Sequence, residues 1–268
     1  MILKRLMLAL ALAASFIPQG VAGTGAPTSD RTNKPSASVT NDFLNVGEKL
    51  NYEVSWSSFL IAGELIIETK DRRSFEGVDG YHVSAQARSV GLVSAVVYKV
   101  NDVYESFLNA ETLQPFRADK KSRHGKKTSE SSTIIDQAKR TARLSSGKTL
   151  AIPPDTYDLA GLVYAVRSMD LSAGKSRTFT LLEDDKLYTI KVEVEGREKV
   201  STKAGEFDAV RISTLRLREG EAKDPYNLRF FVTNDSRRLP VLITAEPSWG
   251  GVRVELTSFT GTRGNSKK

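Results

Sequence analysis

Between Gly47 and Glu68 the chain reads GEKLNYEVSWSSFLIAGELIIE, with apolar and polar residues alternating on both sides of Ser57–Ser58. Successive side chains of a strand point to opposite faces, so this period of two predicts a hairpin with one apolar face. Leu50, Tyr52, Val54 and Trp56 share that face. The same period recurs along the body. GYHVSAQARSV sets Tyr81, Val83, Ala85 and Ala87 against His82, Ser84, Gln86 and Arg88. VNDVYESFLN, LQPFRADKKS, TSESSTIIDQ and TARLSSGKTLAI continue the meander, the last two polar for much of their length. Strands that wet suit a sheet solvated on one side. Gly63, inside an apolar strand, predicts a bulge or a close backbone approach.

From Ser176 onward the pattern gives SRTFTLLED and KLYTIKVEVEG, joined across the DDK turn. REKVSTKAGEFDAVRISTLRLR reads as a further hairpin turning at Ala204–Gly205, and three more strands follow, with turns at Asn234–Asp235 and Gly250–Gly251. A dozen or so antiparallel strands do not stay one flat layer; they curl, split or close. The expected fold is mostly β: a large curved antiparallel sheet or partly closed β-barrel.

One segment breaks the period. In PPDTYDLAGLVYAVRSMDL, the prolines at 153 and 154 end a strand, and Asp155 or Asp158 is placed to cap a helix. Leu159, Leu162, Val163, Val166 and Met169 then recur at helical spacing, giving one amphipathic helix of about three turns. Its stripe has two readings: it covers core, or it plugs a concave sheet as a lid.

The start of the chain carries a targeting pattern. Lys4 and Arg5 precede an apolar run from Leu6 to Ile17, and PQGVAG supplies small residues for cleavage near Ala22. The expected organisation is a signal peptide at 1–22, a disordered polar leader at 23–42, one β-rich domain at 43–262, and a flexible tail at 263–268. The apolar run falls short of the roughly 20 residues a spanning helix needs. The sequence contains no cysteine, which excludes disulfides, thiol catalysis and lipidation of an exported cysteine. A periplasmic or secreted product that is not a lipoprotein is expected. The formal charge of +7 loses two with Lys4 and Arg5. The remaining excess suits anionic lipid headgroups or wall polymer, and export argues against nucleic acid as a partner.

The order of segments resembles a bacterial envelope family catalogued as domain of unknown function 3108. The stretches that carry the resemblance are GEKLNYEVSW, IAGELIIE, VNDVYESFLNAETLQPFR, PPDTYDLAGLVYAVRSMDL, EKVSTKAGEFDAVRI and NDSRRLPVLITAEPSWGGVRVELTSF. Members often carry a tryptophan before the ND turn, where this chain has FFV. The resemblance implies an exported β-rich protein and supplies no reaction. By fold analogy it implies a half-closed barrel like those of lipoprotein carriers.

Chemistry-bearing motifs are sparse. SGKT at Ser146–Thr149 and AGKS at Ala173–Ser176 lack the first glycine of a phosphate-binding loop, so no nucleotide cofactor is expected. The chain has two histidines, His82 in a strand and His124 in a loop, and neither sits in a catalytic or metal-binding pattern. Glu183, Asp184 and Asp185 read as a solvated hairpin tip, or as ligands for a hard cation. No catalytic residue, metal or cofactor is assigned.

Two features bear on binding. RADKKSRHGKK gathers Arg117, Lys120, Lys121, Arg123, Lys126 and Lys127 round one turn, opposed by Asp119. It is either a charged tip that discourages edge pairing or a docking patch for anions. GLVSAVVY, residues 91–98, is either a buried turn or a greasy lip. The leading expectation is a carrier for a lipid or other amphiphile, with Trp56, Leu65, Ile67, Leu162 and Val166 on the apolar concave face. The other expectations are a non-catalytic envelope scaffold that recruits a protein partner, and a cell-wall or glycan hydrolase.

Overall fold

A computed structural model describes residues 43–57, 60–97, 99–218, 221–223, 226–247 and 250–262. The expected signal peptide, leader and tail lie outside them. The strands are β1 (Lys49–Trp56), β2 (Leu60–Phe75), β3 (Val78–Ser89), β4 (Val100–Asn109), β5 (Pro115–His124), β6 (Lys127–Asp136), β7 (Thr141–Leu144) and β8 (Thr149–Ala151). After these come β9 (Thr156–Tyr157), the helix α1 (Leu159–Arg167), β10 (Ser176–Glu183), β11 (Lys186–Thr202) and β12 (Gly205–Arg218). Last are β13 (Glu221–Lys223), β14 (Arg229–Thr233), β15 (Pro240–Ala245) and β16 (Val252–Thr260).

All belong to one sheet, ordered β8-β7-β6-β5-β4-β3-β2-β1-β16-β15-β14-β12-β11-β10-β9, with β13 beside β12. The order closes the chain on itself at β1–β16, where Val54 faces Val254. It does not close between β8 and β9, the two edges. The sheet is curved and unclosed, and mostly β as the alternation predicts.

The hairpins divide the loops between two rims. The upper rim carries the β1–β2, β3–β4, β5–β6, β7–β8, β10–β11 and β15–β16 connections. The lower rim carries β2–β3, β4–β5, β6–β7, β11–β12 and β14–β15.

Glycine marks two irregularities. Register slips between Val54 and Ser55 opposite Gly63, the expected bulge. At Gly196 the sequence pattern ends a strand, yet the 17-residue β11 passes through it by a second bulge, between Val194 and Gly196. A bulge absorbs one residue and restores the period, so it looks like a strand end in sequence.

The concave face is filled. Leu50, Tyr52, Val54, Leu108, Tyr164 and Leu256 lie in one buried cluster, and Val166, Phe179, Val192, Ile212 and Val232 in a second. Helix α1 sits between them. Asp158 caps it, its carboxylate accepting the Gly161 amide at 3.0 Å. Burial departs from the expected stripe. Val166 and Met169 are buried, but Leu162 and Val163 are only partly so, while Ala160, Tyr164 and Arg167 on the other side are almost wholly enclosed. A helix laid inside a curved sheet meets strands on several sides, so its polar side is covered as well.

Candidate functional site

The seam between β8 and β9 has no ladder joining its two arms, and side chains bridge it instead. Ile135, Ala142 and Ile152 on one side pack with Leu182 on the other. Gln137 donates to the Thr156 carbonyl at 2.7 Å. Toward the upper rim the seam opens into a cleft of about 270 Å³. Tyr104, Lys120, Ser131 and Thr133 line one wall, and Leu182, Glu183, Asp184 and Asp185 the other. Leu144, Ser145, Ser146 and Lys148 stand at its side, with Asp158 and Leu159 at its floor.

The strand pattern explains the wet wall. Tyr104, Ser106 and Asp102 alternate inward on β4, and they pair across with Lys120, Ala118 and Ser122 on β5. Ser131 and Ser129 continue the row on β6. Of these strands, β6 is one that the sequence marks as polar, and its serines continue the row toward solvent.

Charges in the cleft are coupled across the seam. The Lys120 ammonium donates to Glu183 at 2.8 Å and to Asp184 at 3.0 Å. Lys148 meets Asp185 at 3.0 Å. Burial opposes the Lys120 charge, but the Tyr104 hydroxyl, Glu183 and Asp184 outweigh it and raise its pKa. Burial also raises Glu183, with Lys120 pulling back. Among the described residues, no cation pairs with Asp158. Burial pushes its carboxyl up to about 7, although the Ser106 hydroxyl and the Gly161 amide donate to it. The cleft floor therefore carries a carboxyl that titrates near neutrality.

The sequence-predicted residues fall in several places. Ile67 and Val166 are buried, and Trp56, Leu65 and Leu162 are partly buried against the core clusters; none lines the cleft. The apolar face that reads as a ligand surface in sequence is occupied by the protein's own strands and helix. Of the basic cluster, Lys120 turns inward, Arg117 lies over the Phe107 ring beside Asp119 and Glu76, and Lys121 pairs with Glu130 at 2.5 Å. Arg123, Lys126 and Lys127 are exposed at the upper rim.

Glu183 is not part of a solvated tip: it is 5% exposed, because it is the last inward residue of β10. His124 ends β5 and is no loop residue; its Nε2 is 2.9 Å from Asp102. His82 faces outward on β3, as its strand position predicts, stacked on Phe107 at 4.6 Å. Sequence reasoning missed Tyr104, Ser131, Asp158 as a cleft group, and the inward role of Lys120. The polar character of β6 was the available signal.

The model of a protein family described as a protein of unknown function, DUF3108, matches residues 51–257. The chain belongs to the DUF3108 family. No curated protein matches this DUF3108 chain. Among solved structures it is similar to a β-barrel-like protein of domain of unknown function DUF1849 from Brucella abortus. That match has a TM-score of 0.56 at 12% identity, covering 82% of this chain and 99% of the other. A DUF1089 family protein from Pseudomonas aeruginosa matches with a TM-score of 0.43 at 10% identity, over 68% and 89% of the two chains. The Brucella likeness shows a shared β-barrel-like fold for the DUF3108 chain, and nothing about ligands.

Proposed function

We propose that this chain is a non-catalytic binding module of the bacterial cell envelope that holds the polar head of an amphiphile in the seam cleft. The observation that carries the reading is the chemistry of the cleft floor and walls. A plug that only had to fill space would gain stability from apolar residues, because burying charge is costly. Here Glu183 is enclosed beside Lys120 and Asp158 is enclosed at the floor, while Ala118, Leu144, Leu159 and Leu182 add apolar surface to the lining. That mixture suits a ligand with hydroxyl or amine donors and a short apolar portion. The basic-then-apolar start of the sequence, Lys4 to Ile17, supports export.

The size of the cleft limits the ligand. Small-molecule sites are commonly about 300–1,000 Å³, so 270 Å³ accommodates a headgroup with a short stretch of chain, and a whole diacyl lipid is too large. A second reading, the envelope scaffold, is favoured by the packed clusters that fill the concave face.

Native mass spectrometry of protein exported by a bacterial host and purified without detergent separates the two. The binding module is expected to carry a discrete added mass that extracts into organic solvent. Ser131→Trp, which fills the cleft from an exposed strand position, is expected to remove it while circular dichroism is unchanged. A wild-type protein of bare mass, even after incubation with envelope lipid extract, supports the scaffold instead.

A further inference from the structure

Four large apolar side chains are markedly exposed among the described residues: Val46, Ile61, Leu92 and Leu187. Three of them stand on the upper rim. Ile61 lies at the start of β2, Leu92 in the β3–β4 connection, and Leu187 is the second residue of β11, just past the β10–β11 turn. Leu92 is 71% exposed. Its connection is a π-type turn at Val93–Val97, anchored by Val93, which packs against Ala62 beneath it. The greasy lip and the buried turn of the sequence are thus the same segment, one residue inward and the next outward.

The basic hairpin lies against this lip. The Gly125 amide at its tip donates to the Lys99 carbonyl at 2.8 Å. Lys99, Arg123 and Ser94 share a shallow depression with Arg88. Arg88 is held by Glu64 at 2.6 Å, and the rim acids Asp184 and Asp185 are answered by Lys120 and Lys148. Lys99, Arg123, Lys126 and Lys127 are exposed, and among the described residues no carboxylate pairs with them. One rim therefore presents exposed apolar side chains with unanswered cations beside them.

We propose that the upper rim docks on an anionic lipid bilayer, Leu92 and Ile61 entering the interfacial layer while Lys99, Arg123, Lys126 and Lys127 meet lipid phosphates. Apolar insertion and cation–phosphate attraction are both weak alone, and together they hold a protein at a membrane surface. An anionic polymer without an apolar phase would engage the cations and leave Leu92 in water. The seam cleft opens on this same rim, so docking would bring its mouth to the bilayer. The inference stands whichever ligand the cleft takes.

Vesicle co-sedimentation tests it, with the exported protein, on phosphatidylglycerol–phosphatidylcholine vesicles and on phosphatidylcholine alone. Binding is expected only to the anionic vesicles and is expected to weaken with added salt. Arg123→Glu with Lys126→Glu is expected to lower the partition coefficient by about tenfold or more. Leu92→Asp is expected to lower it about fivefold, as removal of an inserted apolar anchor should. Lys139→Glu places the same kind of charge reversal on the β6–β7 turn at the lower rim and is expected to change little. Equal losses from both rims, or equal binding to neutral vesicles, would overturn the proposal. Binding that ignores Leu92→Asp would also overturn it, since the rim would then be a site for soluble polyanions.

Discussion

Arg167 on the last turn of α1 and Glu48 just before β1, 119 residues apart in the chain, meet in a bidentate pair at 2.6 and 2.9 Å. Each side chain is 1% exposed. The guanidinium also donates to the carbonyls of Arg238 at 2.9 Å and Arg237 at 3.1 Å, between the rings of Phe43 and Tyr164. The pair ties the helix to the lower rim, with the start of the first strand on one side and the β14–β15 loop on the other.

Removing one partner leaves the other charge buried. Glu48→Ala is expected to destabilise the fold by about 3–5 kcal/mol, and Arg167→Met by a similar amount. The double variant is expected to lose clearly less than the two losses combined, because no orphan charge remains. Urea denaturation of the four proteins checks this; additive losses would show that the pair acts only through packing.

Gly161 reverses a familiar trend. Gly→Ala in a helix interior ordinarily stabilises by about 1 kcal/mol. Here a Cβ would stand 2.6 Å from Asp158 Oδ1 and 3.1 Å from Leu108 Cδ2. To make room, Asp158 must give up its cap or its bond to Ser106. Gly161→Ala is therefore expected to destabilise by roughly 1–3 kcal/mol, measured as a lowered Tm.

Asp158 makes stability depend on pH. Its folded pKa, near 7, lies above the ordinary 3.8. Between those values the unfolded chain gives up a proton that the folded one keeps, so the contribution is full below the lower value and is lost as pH rises through the upper one. Asp158→Asn keeps an acceptor for the Gly161 amide and removes the titration. The variant is expected to gain on the wild type progressively from about pH 4 to about pH 7, by an amount on the order of a few kcal/mol. Parallel pH–stability curves for the two proteins would refute this.

Lys120→Met leaves Glu183 enclosed with no cation at 2.8 Å. The Glu183 carboxyl, already raised by burial, rises further, and its charged form becomes the costly one. The expected loss is about 1–3 kcal/mol near pH 8 and distinctly smaller near pH 5. Denaturation at the two pH values reads the difference.

The alternation of Leu50, Tyr52, Val54 and Trp56 and of Tyr81, Val83, Ala85 and Ala87 determined the strands and which side of each faces inward. The helix and its Asp158 cap were equally local, since both depend on spacing within a few residues. Curvature of the sheet followed from the number of strands. What filled the concavity did not. The apolar face of the first hairpin reads the same in sequence whether it meets a ligand or a helix, and only the packed structure shows Ile67 and Val166 covered by the protein's own residues. Arg167 and Glu183 are buried without a local signal for it, because their partners, Glu48 and Lys120, come from distant parts of the chain. Periodicity records which face a side chain takes; what stands opposite that face is set by closure of the sheet, a long-range event with no period in the sequence.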